Sequence, residues 1–235
     1  MAAVTDDQKM IISRVINVFE TGSTGGDYTR IVVFPDGPGG RHQITYGRSQ
    51  TTQVSDNLGR LLRLYCEING EYSDHFTPYL DRAADPNLHE DGAFLDLLRQ
   101  AGNDPVMQTA QDNFFDRRYF LPAEKWWSDH GMEEALSLLV IYDSWIHSGG
   151  IRMFLRNHFR ESPSSACGRE RVWTARYAEI RHQWLKHCTS PGNPEKQRLL
   201  RNSRYRTRCL PEEIDRSNRD LSMLPITANG VDVTL

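Results

Sequence analysis

The sequence has no long apolar run and no recognisable export signal. No stretch of its 235 residues approaches the roughly 20 consecutive apolar residues that a membrane-spanning helix needs. The first residues, MAAVTDDQKM, do not place a cationic segment before an apolar one, so no ordinary signal peptide is expected. We therefore predict no membrane insertion. The protein could stay inside the cell, leave it by another route, or be a domain of a longer chain.

Cysteine is scarce and shows no metal-binding pattern. The four cysteines are Cys66, Cys167, Cys188 and Cys209, and none lies in a C-x-x-C pair or near histidines at zinc-finger spacing. They are expected to be free thiols, although one disulfide among the last three stays open. H-E-x-x-H, G-x-S-x-G and G-K-[ST] are also missing, which argues against a metalloprotease, a serine hydrolase and a phosphate-binding loop. We predict no metal and no cofactor.

Neither sign of charge dominates the chain. Its 31 acidic and 28 basic residues give a net charge of -3, so nucleic acid is not expected as a partner. A basic stretch near the C-terminus has arginines at positions 198, 201, 204, 206 and 208. Only Tyr205 is interleaved with them, whereas a nucleic-acid site would present several aromatics. We interpret this stretch as a solvated helix face with one or two buried members.

The N-terminal region predicts a helix that ends close to a glutamate. Thr5 and Gln8 match a capping-box pattern, and the apolar residues after them recur at helical spacing. Gly22 is expected to end this helix. Glu20 therefore lies in its last turn.

The rest of the chain combines one hairpin with many helices. Two β-rich runs, 29–34 and 43–47, flank the turn sequence PDGPGG and predict a hairpin. From Pro105 onward the pattern is almost wholly helical, and its most apolar segment ends at Gly149. These elements indicate an α+β protein that is mainly α-helical.

Glu20 and Asp36 are candidates for the acid and the base of a hydrolytic reaction. Glycoside hydrolysis requires two carboxyl groups beside the scissile bond, one protonated and one ionised. Glu20 follows two apolar residues at a helix C-terminus, where poor solvation and the helix dipole disfavour the anion. Asp36 lies in the glycine-rich turn, where hydration favours the charged form. Asp27 is a rival for the base, and an aspartate in such a turn is often structural.

Several segments resemble the chitosanases of glycoside hydrolase families 46 and 80. QDNFFDRRYFLPA is similar to the Q-x-x-x-x-D-R-x-Y-F-x-P-A run of their central helix, and LVIYDSWIHSGG resembles their buried Y-D-x-x-x-H-G segment. YAEIRHQWL and NSRYRTR resemble the segments with their late arginines, and LSMLPITANGVDV their closing stretch. The order of helix glutamate, hairpin aspartate and I-T-Y-G also resembles the active-site start of phage-type lysozymes.

The resemblance implies a single lysozyme-like domain over 1–235, with two lobes around a cleft and the hairpin on one rim. The smaller lobe would comprise about 20–100, and the helical lobe about 104–235 plus the N-terminal helix. Glu20 matches the general acid of the family. Asp36 matches the carboxylate that activates water, and Thr45 matches the hydroxyl that holds this water.

Further roles follow from the same resemblance. Asp143 resembles the centre of a buried ionic network, with Arg181 and Arg204 as its cationic partners. In the family this network helps to position the acid, and a buried carboxylate needs such partners in any case. A structural ion pair without a catalytic role is the alternative for Asp143.

The substrate is expected to contact residues at and after the hairpin. Tyr46 and Arg48 lie one and three residues after Thr45 and are the candidates at the hairpin itself. The family also has an aspartate after the hairpin that binds a substrate ammonium group. Here either Asp56 takes that role or Asn57 replaces it with a neutral amide, which suits an N-acetylated sugar better.

These observations predict a monomeric glycoside hydrolase that cleaves β-1,4 bonds of an amino-sugar polysaccharide. The amide of Asn57 and the lack of a visible export signal favour bacterial peptidoglycan as the substrate. The protein would then be a lysozyme or muramidase, the catalytic part of an antibacterial effector that reaches the periplasm or cell wall without a signal peptide of its own. A chitosanase is the first alternative. A non-catalytic glycan-binding module on the same scaffold is the second.

Overall fold

The computed structural model describes residues 3–35, 37–48, 51–189 and 194–235, apart from the side chains of Pro38, Glu195 and Lys196. Its helices are α1 (Asp6–Thr21), α2 (Asn57–Glu67), α3 (Ser73–Leu80), α4 (Gly92–Ala101), α5 (Pro105–Phe115), α6 (Leu121–Asp129), α7 (Ala135–Ser148), α8 (Met153–Arg156), α9 (Glu170–His187), α10 (Pro194–Asn202) and α11 (Cys209–Asp215). Its strands are β1 (Ile31–Phe34), β2 (Gln43–Tyr46), β3 (Thr51–Thr52), β4 (Ile226–Ala228) and β5 (Val231–Val233). The predicted fold class, α+β and mainly helical, is confirmed.

The chain divides into two compact units. The first unit combines Met1–Thr24 with Arg118–Leu235, and the second comprises Gly25–Arg117. The sequence predicts the segment from about 104 in the helical lobe, whereas the structure groups α5 with the hairpin. No helix in the part of the chain that the structure describes is both long and apolar enough to cross a membrane.

Helix α1 places Glu20 through local signals at both of its ends. The capping box is present, because Gln8 N–H donates to Thr5 Oγ1 (3.2 Å) and Thr5 N–H donates to Gln8 Oε1 (2.9 Å). Gly22 ends the helix in the left-handed conformation, at φ +79°, as predicted. The apolar face between these ends is buried. Glu20 follows it in the last turn.

Helix α7 is the central helix of the first unit. Nearly all of its residues are buried, and it ends at Gly149 with φ +72°, as the sequence predicted. A helix that is apolar on all sides must be surrounded by protein. The one carboxylate on this helix, Asp143, is therefore carried into the core.

The second unit is built on the predicted hairpin. Strands β1 and β2 pair antiparallel, with Val32 opposite Thr45, and β3 adds to β2 with Thr52 opposite Thr45. Strand β3 was not predicted, because two residues are too short for an alternating pattern. Thr45 thus lies in the middle strand of the sheet.

Two further differences concern short or irregular segments. The backbone widens into a π-helix at Asp116–Phe120, which ends two residues before Pro122, whose missing N–H and bulky ring disfavour a regular α-helical turn. The other is at the C-terminal end, where Asn229 and Gly230 turn the chain between β4 and β5 and so form a hairpin in addition to the predicted one. All four cysteines are free, so the disulfide left open by the sequence is not formed.

Candidate active site

The carboxylate of Glu20 is held by one arginine. Arg206 donates a hydrogen bond from Nη1 to Glu20 Oε1 at 2.5 Å, and the two side chains are only 5% and 10% exposed. Arg206 lies in a 3-10 segment, Ser203–Thr207. The hydroxyl of Tyr205 fixes this segment to α1 by donating to the carbonyl oxygen of Phe19 at 2.7 Å. This hydrogen bond brings Arg206, the residue after Tyr205, close to Glu20, the residue after Phe19.

Arg206 also connects Glu20 to a buried ion pair. Asp143 Oδ1 lies 2.9 Å from Arg206 Nε and 2.7 Å from Arg206 Nη2. Arg181, on α9, donates from Nη1 to Asp143 Oδ2 and from Nη2 to the Asp143 carbonyl oxygen at 3.3 Å. We call this chain of contacts, Arg181–Asp143–Arg206–Glu20, the buried ion network.

The buried ion network is balanced in charge. Its two guanidinium groups face two carboxyl groups, and Asp143 and Arg181 have no exposed side-chain surface. Burial by itself would raise the pKa of Asp143, but the charges of Arg181 and Arg206 outweigh it and lower this pKa. Burial by itself would lower the pKa of Arg206, but the carboxylates of Asp143 and Glu20 outweigh it and raise this pKa. Removing Arg181, Asp143 or Arg206 would leave a buried charge without compensation, which usually costs about 3–5 kcal/mol of stability.

The predicted partner Arg204 is wrong, and Arg206 takes its place. Arg204 is exposed, whereas Arg206 is 4% exposed and contacts both carboxylates. Residues two positions apart in a tight helical turn point in different directions, so only one of the two can reach Asp143. The alternating arginines of this stretch gave no local signal for the choice. The predicted pairing of Asp143 with Arg181 is present.

His147, one turn after Asp143 on α7, was not assigned a role from the sequence. Burial, followed by the charges of Arg181 and Arg206, lowers its pKa to about 3. The side chain is therefore neutral at the pH values at which most proteins are active. Protonation of His147 in acid would add a positive charge that Arg181 and Arg206 repel, and it should therefore destabilise the buried ion network.

We expect His147→Asn to flatten the dependence of stability on pH. The unfolded chain binds a proton at His147 near pH 6.5, and the folded state only near 3, so folding stability is full above 6.5 and falls as the pH decreases. This loss amounts to about 2 kcal/mol between pH 6.5 and 5. Urea unfolding at several pH values should show this loss of unfolding free energy in the wild type and a smaller loss in the variant.

A matched control is the exposed His158, whose replacement by Asn should leave the slope unchanged. Part of the slope should persist in His147→Asn, because burial and nearby cations also lower the pKa of His182. The pKa of Asp143 is lowered too, so its contribution to stability is lost at a lower pH than that of His147, below about pH 4. An identical slope in the wild type and in His147→Asn would contradict this account.

The second unit places the other predicted residues unevenly. Thr45 lies on β2 and is 7% exposed. Tyr46 is wrong as a substrate contact, because it is fully buried and its hydroxyl donates to the Leu98 carbonyl oxygen at 2.8 Å. Arg48 is largely buried and forms an ion pair with Asp112. Its charge is thus already compensated within the unit.

Asp56 and Asn57, at the start of α2, differ in exposure. The Asp56 side chain is 46% exposed and forms ion pairs with Arg60 (3.2 Å) and Arg63 (3.7 Å). Asn57 is 7% exposed. An amide this deeply buried gives little support to the inference that it selects an N-acetylated sugar. The role of Asp56 as a substrate contact stays a prediction.

The two candidates for the base are Asp36 and Asp27. Asp36 lies outside the described residues, so its role and its pairing with Glu20 stay predictions. Asp27, the rival, accepts hydrogen bonds at Oδ1 from the Thr29 N–H (3.0 Å) and the Thr29 hydroxyl (2.8 Å). These contacts are those of a turn-stabilising aspartate. Among the described residues no cluster of three or more His, Cys, Asp or Glu could hold a metal ion.

The chain matches a known protein family over most of its length. A model of glycosyl hydrolase family 46 matches residues 14–217, which is most of the chain. The protein belongs to glycosyl hydrolase family 46. It is therefore a glycoside hydrolase with a lysozyme-like fold, as the resemblance implied.

Individual proteins that are similar to this chain agree with this assignment. A chitosanase of Bacillus subtilis (strain 168) is 24% identical, and the match covers 94% of this chain and 82% of the relative. A family 46 chitosanase of Gynuella sunshinyii, solved in complex with chitotetraose, superposes with a TM-score of 0.81 at 24% identity over 99% of both chains. A native chitosanase from Bacillus subtilis MY002 gives 0.81 at 22% identity over 99% of this chain and 100% of its own.

Proposed function

We propose that this family 46 glycoside hydrolase is a chitosanase, which hydrolyses β-1,4 bonds in chitosan with Glu20 as the general acid. The choice of chitosan as the substrate rests on the match to a chitosanase over 94% of the chain. A solved relative bound to chitotetraose and another bound to 6 GlcN support it. The observation that supports the acid is the attachment of Glu20 to the buried ion network.

In the proposed reaction, Glu20 gives its proton to the oxygen of the scissile glycosidic bond. Asp36 takes a proton from a water molecule held by Thr45, and the oxygen of this water attacks the anomeric carbon. A water between the two carboxyl groups is the arrangement that leads to inversion of the anomeric centre. The bond between this carbon and the leaving oxygen breaks as the new bond forms. No cofactor is needed for these steps.

Arg206 is the positioning residue for Glu20 in this scheme. A charge-assisted hydrogen bond to one carboxyl oxygen fixes the rotamer of Glu20 and leaves the other oxygen available for the proton. Arg206 is itself held by two contacts to Asp143. Because Asp143 compensates its charge, Arg206 can orient Glu20 without the full effect of an isolated cation.

Chitosan replaces peptidoglycan as the favoured substrate. The sequence favoured peptidoglycan partly through the amide of Asn57, which is buried. The comparisons favour the alternative, since the relatives are named as chitosanases. We also propose, from the sequence, that the protein acts on this polysaccharide outside the producing cell.

Product analysis separates the two substrates. The protein is incubated with soluble chitosan and, separately, with purified bacterial sacculi, and the products are identified by mass spectrometry. We expect glucosamine oligomers from chitosan and no soluble muropeptides from sacculi. Release of muropeptides without chitosan cleavage would restore the peptidoglycan hypothesis. Cleavage of neither substrate would favour the glycan-binding module.

A further inference from the structure

A pocket of about 610 Å³ in the first unit has no part in the proposed reaction. Its wall includes Arg204, Tyr205 and Arg208 from the basic stretch, Glu212 from α11, and Asn229 from the turn between β4 and β5. Small-molecule sites commonly have volumes of about 300–1,000 Å³. The size of the pocket therefore suits a ligand of one or a few sugar units.

Two arginines in this wall have no acidic partner. Arg204 and Arg208 are exposed, and their side chains form no ion pair or hydrogen bond with the part of the chain that the structure describes. Arg206, which lies between them, forms ion pairs with Glu20 and Asp143. The alternation of the three arginines thus puts one guanidinium into the core and leaves two charges at the pocket.

The described residues of the pocket wall carry more positive than negative charge, because Arg204 and Arg208 outnumber Glu212. The pKa of His182 is lowered first by burial and then by the charges of Lys186, Arg204 and Arg208, so the charges of these three residues all act on this ring. Cys209, also in the pocket wall, adds no negative charge, because burial raises its pKa to about 12. Glu212 is the single acidic residue among the described lining residues.

We propose that this pocket binds a small ligand with a phosphate or carboxylate group on a body of sugar size, and that Arg204 and Arg208 bind its anionic group. Guanidinium groups match the oxygen geometry of both anions and form strong, charge-assisted hydrogen bonds with them. The amides of Asn202 and Asn229, also in the wall, can bond to hydroxyl groups of the ligand. The site is distinct from chitosan hydrolysis, since two arginines would repel a cationic glucosamine chain.

Titration calorimetry on the whole protein tests the proposal. The probes are glucose 6-phosphate and glucuronate, with glucose as the neutral and glucosamine as the cationic comparison. We expect saturable binding of at least one anionic probe and none of glucose or glucosamine. The two anionic probes distinguish phosphate from carboxylate as the preferred group. The affinity should fall as sodium chloride is raised, because salt screens exposed charges.

Charge variants decide whether the pocket is the site. Arg204→Gln and Arg208→Gln should each weaken binding of the anionic probe by about tenfold or more, and Glu212→Gln should tighten it by removing repulsion. Arg160→Gln is the control, because Arg160 is an exposed arginine outside the pocket. Absence of binding at millimolar probe, or equal affinity in the two arginine variants and the wild type, would overturn the proposal. Because Glu212→Gln has the opposite sign, a folding defect of one arginine variant leaves the test intact.

Discussion

Glu20→Gln is expected to slow chitosan hydrolysis by about 10²- to 10⁴-fold, the usual contribution of a positioned general acid. The amide of glutamine has no proton that it can give to the leaving oxygen. Its carbonyl oxygen can still accept the hydrogen bond that Arg206 donates to Glu20 Oε1 at 2.5 Å. The variant should therefore lose turnover and keep its fold. Initial rates on soluble chitosan and urea unfolding of the same preparation measure the two effects.

Glu67→Gln is the matched control for this prediction. Glu67 is also a glutamate at the end of a helix, the last residue of α2, but it is exposed. Its replacement should leave both the rate and the unfolding midpoint within error of the wild type. If Glu20→Gln retained more than half of the wild-type rate, Glu20 could not be the general acid. If Glu20→Gln did not fold, Glu20→Asp, which keeps the carboxyl group, would separate the loss of the proton donor from a loss of packing.

Arg206→Ala is expected to lower the free energy of unfolding by about 3–5 kcal/mol, as is usual when one partner of a buried ion pair is removed. The substitution would leave Asp143 with Arg181 alone and Glu20 without its only described cationic contact. Turnover on chitosan should also fall, because the Glu20 carboxyl loses the hydrogen bond that fixes its orientation. Urea unfolding at pH 7 measures the first effect, and kcat measures the second.

Arg204→Ala is the decisive comparison, because Arg204 is the residue that the sequence assigned to the network. Its side chain is exposed, so its removal should change the unfolding free energy by no more than about 0.5 kcal/mol. Arg206→Lys should recover only part of the stability, since one ammonium cannot reproduce contacts from three guanidinium nitrogens. Equal effects of Arg204→Ala and Arg206→Ala would contradict the network described here.

Features with local sequence signals were predicted well. The capping box at Thr5 and the glycines at 22 and 149 act within one helical turn, so their neighbours in sequence are enough to show them. The hairpin followed from two β-rich runs around a turn of glycine and proline. Strand β3 and the π-helix at Asp116–Phe120 were missed, because each is set by contacts or strain that no short pattern displays.

Burial of individual side chains was harder to predict. Tyr46 was expected to face the substrate because it follows Thr45, yet successive residues of a strand point to opposite sides. The structure shows which side is the core: Tyr46 packs there with residues such as Leu62 and Phe94. Alternation alone could not show that both neighbours would be buried, or that Tyr46 would be the one packed in this core.

The sequence alone determined the family, the mainly helical class, and the position of Glu20 in the last turn of a helix. Those features depend on motifs and on residues close together along the chain. Only the tertiary structure decided that Arg206, and not Arg204, joins Glu20 to Asp143, and that Arg204 and Arg208 remain at a pocket. The reason is physical: positions 20, 143, 181 and 206 come from four separate elements, and a charge is buried only where folding brings its partners within hydrogen-bond distance.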